Sequence, residues 1–196
     1  MNKKQHQQHQ QQHQQHQQHQ HQQQGYQHNL PGFVPKEQYL DIMKHTQIIS
    51  ADFIIFNNEG KVLLGKRTGE PAKNTWFVPG GRIRKNERFP DAVKRIFVQE
   101  IGVILDNNDD KPVPMGVYHQ TYSNNFDNDD FNAHYITFAY TITLPITTPY
   151  ITLHPKPDHQ HSEFKWWTIE ELLSSAEVHN YCKNYFHPNP WNKIPT

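Results

Sequence analysis

The sequence is poor in cysteine, in net charge and in long apolar runs. Cys182 is the single cysteine among 196 residues, which excludes an intrachain disulfide and a cysteine-rich zinc site. Lysine plus arginine and aspartate plus glutamate number 19 each, so no global charge attracts nucleic acid or a membrane surface. No run approaches the roughly 20 apolar residues of a membrane-spanning helix. These absences predict a cytoplasmic protein without nucleic-acid or membrane partners.

The first residues differ in composition from the rest of the chain. Residues 1–28 are almost entirely glutamine and histidine and hold about half of the 15 histidines. Such a segment has too few apolar side chains to offset the entropy of ordering, so we predict a disordered tail. It could chelate metal weakly, but a low-complexity extension without a role in activity is the simpler interpretation. Residues 30–196 are then one globular domain, because this length suits a single core.

Hydrophobic periodicity predicts two helices in the first half of the domain. Lys36–His45 has helical spacing, and Phe89–Ile101 has Pro90 in its first turn and Gly102 at its end. Runs of β-branched and aromatic residues predict strands over 48–57, 61–67, 76–78, 114–122, 134–144 and 150–153.

The second half is predicted to end in a loop and a helix. Residues 154–163 are polar and are predicted to form the loop, and a helix then begins at Thr168. Thr168 and Glu171 have the spacing of a capping box. This order of elements predicts the α/β class, with a mixed sheet covered by helices on both faces.

A glycine-rich turn, residues 79–81, precedes the helix that carries charged residues at its inner end. Glycines let backbone approach a ligand closely, and Glu100 on a rigid helix can hold a hard cation such as Mg²⁺. Such a cation bridges substrate phosphates, which leaves Arg67 and Arg82 to neutralise the remaining charge. Taken alone, a solvated helix face with ordinary ion pairs would explain Arg95 and Glu100 about as well.

The same region resembles the signature of the Nudix family. The signature positions are occupied in register by Gly81, Glu87, Arg95, Glu100, Gly102 and Val103. Two further acid positions of the signature hold Ile96 and Gln99 here. In the usual Nudix enzyme these acids share one helix face with Glu100 and gather several metal ions around a pyrophosphate. With Glu100 alone, the resemblance implies one metal ion per active site.

One Nudix branch, the GDP-mannose mannosyl hydrolases, lacks the same acids and cleaves the glycosidic bond instead. The likeness to this branch extends from about Ile49 to about Thr168. It consists of the stretches ADFII (51–55), LLGKR (63–67), WFVPGGR (76–82), GVYHQTY (116–122), HY (134–135) and DHQHSEFKWWT (158–168). The resemblance implies a Nudix-type α/β/α sandwich and a homodimer.

The branch pattern implies a metal site and a general base. The metal ligands are the Gly80 carbonyl, Glu100 and the Gln160 side chain, with Mg²⁺ or Mn²⁺ as the ion. His161 matches the general base, which lies on a mobile loop after the last strand. A histidine suits the deprotonation of an attacking water near neutral pH.

The branch pattern also implies the residues that meet the substrate. Asp52 matches an acid beside the sugar, suited to stabilising positive charge on an oxocarbenium-like transition state. Arg67 matches the arginine that assists the departing diphosphate, and Arg82 and Tyr135 match further substrate contacts. Arg95 is the signature arginine, expected near the substrate and partly structural through Glu87.

One strand position departs from the branch. Gln120 stands where the branch has a histidine, and His119 is next to it. Adjacent residues of a strand face opposite sides of the sheet, so His119 cannot take the place of that histidine without a shift in register.

The predicted function is metal-dependent hydrolysis of a nucleotide sugar, GDP-mannose first, to GDP and mannose with inversion. One alternative is a Nudix pyrophosphohydrolase that cleaves the P–O–P bond, and Ile96 and Gln99 oppose it. A second is a non-catalytic nucleotide-sugar binding module. The joint presence of Glu100, Gln160 and His161 opposes that reading.

Overall fold

Four helices and seven strands make up the part of the chain that the computed structural model describes, residues 34–105, 111–127, 130–144 and 160–187. The helices are α1 (Lys36–His45), α2 (Phe89–Ile101), α3 (Ile169–Ser174) and α4 (Asn180–Asn184). The strands are β1 (Ile48–Phe56), β2 (Val62–Arg67), β3 (Trp76–Phe77), β4 (Gly80–Arg82), β5 (Val113–Tyr122), β6 (Ala133–Thr143) and β7 (His161–Trp167). The predicted tail 1–28, the predicted strand 150–153 and residues 154–159 lie outside the described residues.

All seven strands belong to one mixed sheet. Its main order is β3-β2-β1-β6-β5, with β4 bonded to β1 and β7 bonded to β2. Strands β1 and β6 are parallel along the whole of β1, and the other pairs are antiparallel. The prediction of a mixed sheet is confirmed.

The alternation of side chains along β1 divides the core into two layers. Phe53 and Ile55 pack with Ile96 and Phe97 of α2 on one face of the sheet. Ile54 faces the other side, where the core includes Leu172, Val178, Cys182 and Tyr185 from α3, α4 and the residues around them. Helices therefore cover both faces, as predicted. No described helix has the length and apolar character needed to cross a membrane.

Helix α2 has the bounds that the sequence predicts. Pro90 lies in its first turn, where its missing N–H costs nothing, and Gly102 ends it in the left-handed conformation at φ 71°. The expected apolar face is buried, with Phe89 partly so, and Glu100 lies on the same side as Ile96 and Ile101. A carboxylate is therefore carried into the protein on a rigid helix.

The predicted polar loop 154–163 is wrong from His161 onward. These residues begin β7, which pairs with β2 so that His161 lies opposite Arg67 and Phe164 opposite Gly65. Most side chains of β7 are exposed or half-buried, so polar residues such as Ser162 and Glu163 are compatible with a strand. The following helix is confirmed, with Thr168 and Glu171 forming both hydrogen bonds of the capping box.

Gly65 leaves the space that the His161 ring occupies beneath β2. A Cβ at this position would lie 2.5 Å from Cδ2 of His161 and 2.7 Å from Cε1 of Phe164. We predict that Gly65→Ala lowers the free energy of unfolding by about 1–3 kcal/mol, measured by urea denaturation, because overpacking forces the neighbours to move.

Gly69→Ala is the matched control, since a Cβ at Gly69 meets nothing within 4 Å. Its free energy of unfolding should change by no more than about 0.5 kcal/mol. Equal stability of the two variants would show that the His161 ring does not pack beneath Gly65.

Candidate active site

A cavity of about 480 Å³ opens beside β1, β5 and β6 and the loop that follows β2. This volume falls within the range of small-molecule sites, roughly 300–1,000 Å³. Six of the predicted site residues line it, namely Asp52, Arg67, Gly80, Arg82, Tyr135 and Gln160. Glu100, His161 and Arg95 do not belong to its wall.

Asp52 is a buried acid at the wall of this cavity. It lies in β1 between buried apolar residues, and 7% of its surface is exposed. Burial raises the pKa of its carboxyl to about 6, although hydrogen bonds from Tyr185 and Gln120 and the charge of Arg67 act in the opposite direction. The carboxyl therefore titrates close to neutral pH.

Three side chains form a hydrogen-bond network around the Asp52 carboxylate. The Tyr185 hydroxyl donates to Oδ2 of Asp52 at 2.5 Å, and the Gln120 amide nitrogen lies 2.7 Å from that hydroxyl and 3.4 Å from Oδ2. Tyr122 donates to the Gln120 amide oxygen at 3.0 Å. Gln120 thus faces Asp52, whereas His119 is exposed with its ring 4.5 Å from the ring of His134. The prediction that His119 faces away is confirmed.

Gly80 is required by the close approach of the Asp52 side chain. The two residues are register partners in the β1–β4 pair, and a Cβ at Gly80 would collide with Oδ1 of Asp52. Only glycine leaves that oxygen lying over the backbone of β4 at the cavity wall.

Arg67 connects the loop after β2 with the residue that precedes β7. Its Nε donates to the Pro71 carbonyl at 2.8 Å, and its Nη1 donates to Oε1 of Gln160 at 2.9 Å. These two bonds hold the guanidinium at the cavity wall. Its position suits an anionic group of a ligand, because a guanidinium presents several N–H donors in one plane.

Arg82 lies at the side of the cavity nearest to α1. Its guanidinium carbon is 4.1 Å from the centre of the Tyr39 ring, a cation–π contact. Tyr39 also stacks on Phe126 at 5.6 Å, and both line the cavity together with Tyr135. Burial raises the pKa of the Tyr135 hydroxyl, so it is a neutral hydrogen-bonding group.

Glu100, Gln160 and His161 meet on the α2 side of the sheet. Gln160 Nε2 lies 3.4 Å from Oε1 of Glu100, and His161 Nδ1 lies 3.3 Å from Oε2. Oε2 of Glu100 is buried and accepts no hydrogen bond from the described residues. Within those residues no three histidine, cysteine or carboxylate side chains form a metal cluster. One carboxylate is therefore the anionic donor of this region, and the Gln160 amide oxygen beside it accepts from Arg67.

His161 lies in a different place from the mobile loop that was expected. It is the first residue of β7, and its ring is 1% exposed, packed against Gly65 and Phe164. Phe164 packs with the α2 layer, whereas Asp52 is bonded to Tyr185 of the opposite layer. The expectation of a loop position is wrong, because pairing of β7 with β2 turns the ring inward.

Arg95 holds the glycine-rich loop to α2. Its Nε and Nη2 donate to the two carboxylate oxygens of Glu87 at 2.6 and 2.8 Å, and Nη2 also donates to the Arg82 carbonyl at 2.8 Å. Nη1 donates to Gln99 at 2.8 Å. Hydrogen bonding from Arg95 lowers the pKa of Glu87. The expected structural link to Glu87 is present, and the guanidinium is engaged away from the cavity.

Sequence reasoning missed several residues of the site. Tyr185 and Tyr122 surround the buried acid, and Phe126 joins Tyr39 at the cavity wall. Tyr122 could have been found, because it shares a strand face with Gln120. Tyr185 had no local signal, since its place depends on how the C-terminal segment packs.

The comparisons with known proteins identify the family of this fold and site. A model of the NUDIX domain matches residues 46–187. The low-salt glycan biosynthesis protein Agl8 of Haloferax volcanii is 32% identical over 132 residues, covering 67% of this chain and 78% of that protein. An RNA pyrophosphohydrolase of Bartonella clarridgeiae is 28% identical, covering 66% and 83%. The chain belongs to the Nudix hydrolase family.

Solved structures agree on the fold. A MutT NUDIX hydrolase from Burkholderia pseudomallei has a TM-score of 0.56 at 18% identity, covering 72% of this chain and 96% of its own. The NUDIX domain of Shewanella oneidensis NrtR, complexed with ADP ribose, has a TM-score of 0.51 at 18% identity, covering 78% and 97%. The predicted Nudix-type α/β fold is confirmed.

The raised pKa of Asp52 predicts a pH dependence of stability. Its ordinary value is 3.8 and its folded value about 6, so between these values the folded protein binds a proton that the unfolded chain does not. The stabilisation is complete below pH 4 and is lost as the pH rises through 6. We predict that the contribution of Asp52 to the free energy of unfolding of the metal-free protein falls as the pH rises through this window.

Urea denaturation of the wild type and of Asp52→Asn across pH 4–7 measures this contribution. The variant lacks the carboxyl that titrates, so it should not show the part of the pH dependence that Asp52 causes. Its free energy of unfolding relative to that of the wild type should therefore increase as the pH rises. A difference independent of pH would contradict the raised pKa.

Proposed function

We propose that this protein hydrolyses the glycosidic bond of a nucleotide sugar, with GDP-mannose as the substrate, giving GDP and mannose with inversion. The proposal rests on the residues that occupy the three acid positions of the signature on α2. Ile96 is 1% exposed and packs beneath Gly81, and Gln99 is bonded to Arg95, so Glu100 is the one acid of the three. Ligands for several metal ions around a pyrophosphate are lacking at these positions.

The acid that the cavity does contain suits glycosidic chemistry. Asp52 is ionised above about pH 6, and its Oδ1 lies over Gly80 at the cavity wall. A carboxylate held there can stabilise the positive charge that develops on the sugar ring as the glycosidic bond breaks. Arg67 and Arg82 line the same cavity and would bind the diphosphate.

The donor set fits a divalent metal of the Mg²⁺ or Mn²⁺ type, one ion per active site. Mg²⁺ prefers oxygen ligands and needs few carboxylates when phosphate oxygens and waters complete its shell. Glu100 supplies a buried carboxylate oxygen that accepts no hydrogen bond within the described residues. The Gly80 carbonyl and the Gln160 amide oxygen would be the other ligands, the latter once the amide turns its oxygen from Arg67 towards Glu100. Bound there, the ion would supply charge neutralisation of the departing diphosphate.

His161 is the proposed general base, and its buried position sets a condition on that role. Catalytic groups in ligand-free structures often reach hydrogen-bonding distance only in the substrate complex. His161 directly follows Gln160, which lines the cavity, and its ring lies beside Glu100. Our proposal therefore includes a movement of the His161 ring out of its packing beneath Gly65 when substrate binds.

A second candidate is hydrolysis between the phosphates. The relative described as an RNA pyrophosphohydrolase favours it, and the relative named for glycan biosynthesis favours a sugar-linked role. A non-catalytic nucleotide-sugar binding module would share the cavity but show no turnover.

The homodimer, the cytoplasmic location and residues 30–196 as one domain also remain proposals.

The products of GDP-mannose decide between these functions. Purified protein with GDP-mannose and Mg²⁺, followed by proton and phosphorus NMR, should give GDP and β-mannose. His161→Ala should slow the reaction by about 10²–10⁴-fold, the usual cost of removing a positioned base. His119→Ala, an exposed histidine on β5, should leave the rate unchanged.

The other results each exclude part of the proposal. GMP and mannose 1-phosphate would establish the pyrophosphohydrolase. Binding without turnover of GDP-mannose would favour the binding module. Full activity of His161→Ala would exclude His161 as the general base.

The metal site predicts a specific loss on changing Glu100. Titration calorimetry with Mn²⁺ in the presence of GDP should detect one ion per chain, and Glu100→Gln should weaken its binding because the charged ligand is lost. Glu163→Gln, an exposed carboxylate of β7, is the matched control and should bind like the wild type. Equal binding by the two variants would place the ion elsewhere.

A further inference from the structure

Tyr185 reaches the buried acid from the C-terminal segment. It follows α4 directly, and its side chain is 2% exposed. The ring packs edge-on against Tyr118 at 4.6 Å, which holds the hydroxyl over β5 and β1. The hydroxyl donates to Oδ2 of Asp52 at 2.5 Å. A residue distant in sequence thus completes the surroundings of the carboxylate.

The hydrogen-bond donors around Asp52 are all oriented in the same direction along the network. Tyr122 donates to the Gln120 amide oxygen, so the amide nitrogen is the end that faces Tyr185. Because the Tyr185 oxygen accepts that N–H, its single proton is available to Asp52. Every donor in the series therefore points towards the carboxylate.

The two oxygens of the Asp52 carboxylate therefore have different surroundings. Oδ2 accepts from Tyr185, with the amide nitrogen of Gln120 at 3.4 Å, whereas Oδ1 lies over Gly80 at the cavity wall. We propose that Tyr185, oriented by Gln120, is a positioning residue that holds Oδ2 of Asp52 and so directs Oδ1 to the sugar. The inference rests on the proposed function, in which Asp52 is the acid beside the sugar.

Tyr181 of α4, the helix that Tyr185 follows, provides a matched control. Its hydroxyl donates to the Thr121 carbonyl at 2.6 Å and accepts from the Thr121 N–H at 3.0 Å. It therefore joins α4 to β5 as Tyr185 does, but it makes no bond to Asp52 or Gln120. Phenylalanine at either position keeps the ring and removes only the hydroxyl.

Kinetics of four variants with GDP-mannose test the inference. Tyr185→Phe should lower kcat about 10- to 100-fold, the scale of a lost hydrogen bond to a charged group, with little change in KM. Tyr181→Phe should keep the kcat of the wild type. In the background of Asp52→Asn, adding Tyr185→Phe should lower kcat no further, because the two residues act as one unit. Independent, multiplicative effects would overturn the proposal.

A spectroscopic measurement decides the positioning role without turnover. The Tyr185 hydroxyl is buried and hydrogen-bonded to a carboxylate, so it should give a hydroxyl resonance that is protected from solvent exchange in the proton NMR spectrum. That resonance should disappear in Tyr185→Phe and in Asp52→Asn and persist in Tyr181→Phe. If the resonance behaves so but the wild type leaves GDP-mannose intact, the proposed function fails and the positioning contact stands. If wild type and Tyr185→Phe turn over equally, the inference fails and the function stands.

Discussion

The central strand β1 is hydrogen-bonded along both edges, and each layer of the protein is built on the alternation of its side chains. That alternation places Phe53 towards α2 and both Asp52 and Ile54 towards α3 and α4. A carboxylate in such a strand is costly unless polar groups surround it, because burial removes the water that solvates its charge. The glycine at position 80 and the tyrosine from the C-terminal segment both accommodate this one acid at the cavity wall.

Most of the fold follows from local patterns in the sequence. Phe89–Ile101 was predictable because apolar spacing, Pro90 and Gly102 agree on one helix, and tertiary packing does not oppose them. Strand β7 was not predictable in this way, since its polar residues resemble a loop. Its conformation comes from hydrogen bonds to β2, a partner nearly a hundred residues earlier in the chain.

The candidate site was predictable in part, and the reason lies in the resemblance. Matching stretches place Asp52, Arg67 and Gln160 at one cavity, because each is carried by a strand or an adjoining residue whose neighbours match as well. His161 shows where this reasoning ends. Family pattern gives its position along the chain, but pairing with β2 determines that its ring points inward. Tyr185 depends on the docking of α4, which no local spacing encodes.

The pair of Arg95 and Glu87 has a consequence for what the family signature reports. The two hydrogen bonds between them, and the bond from Arg95 to the Arg82 carbonyl, hold the glycine-rich loop against α2. Neither side chain needs a substrate to do this. These two signature positions thus describe the architecture of a loop. A chain can carry other residues at two of those acid positions, as Ile96 and Gln99 do here, and still be recognised as a member of the family.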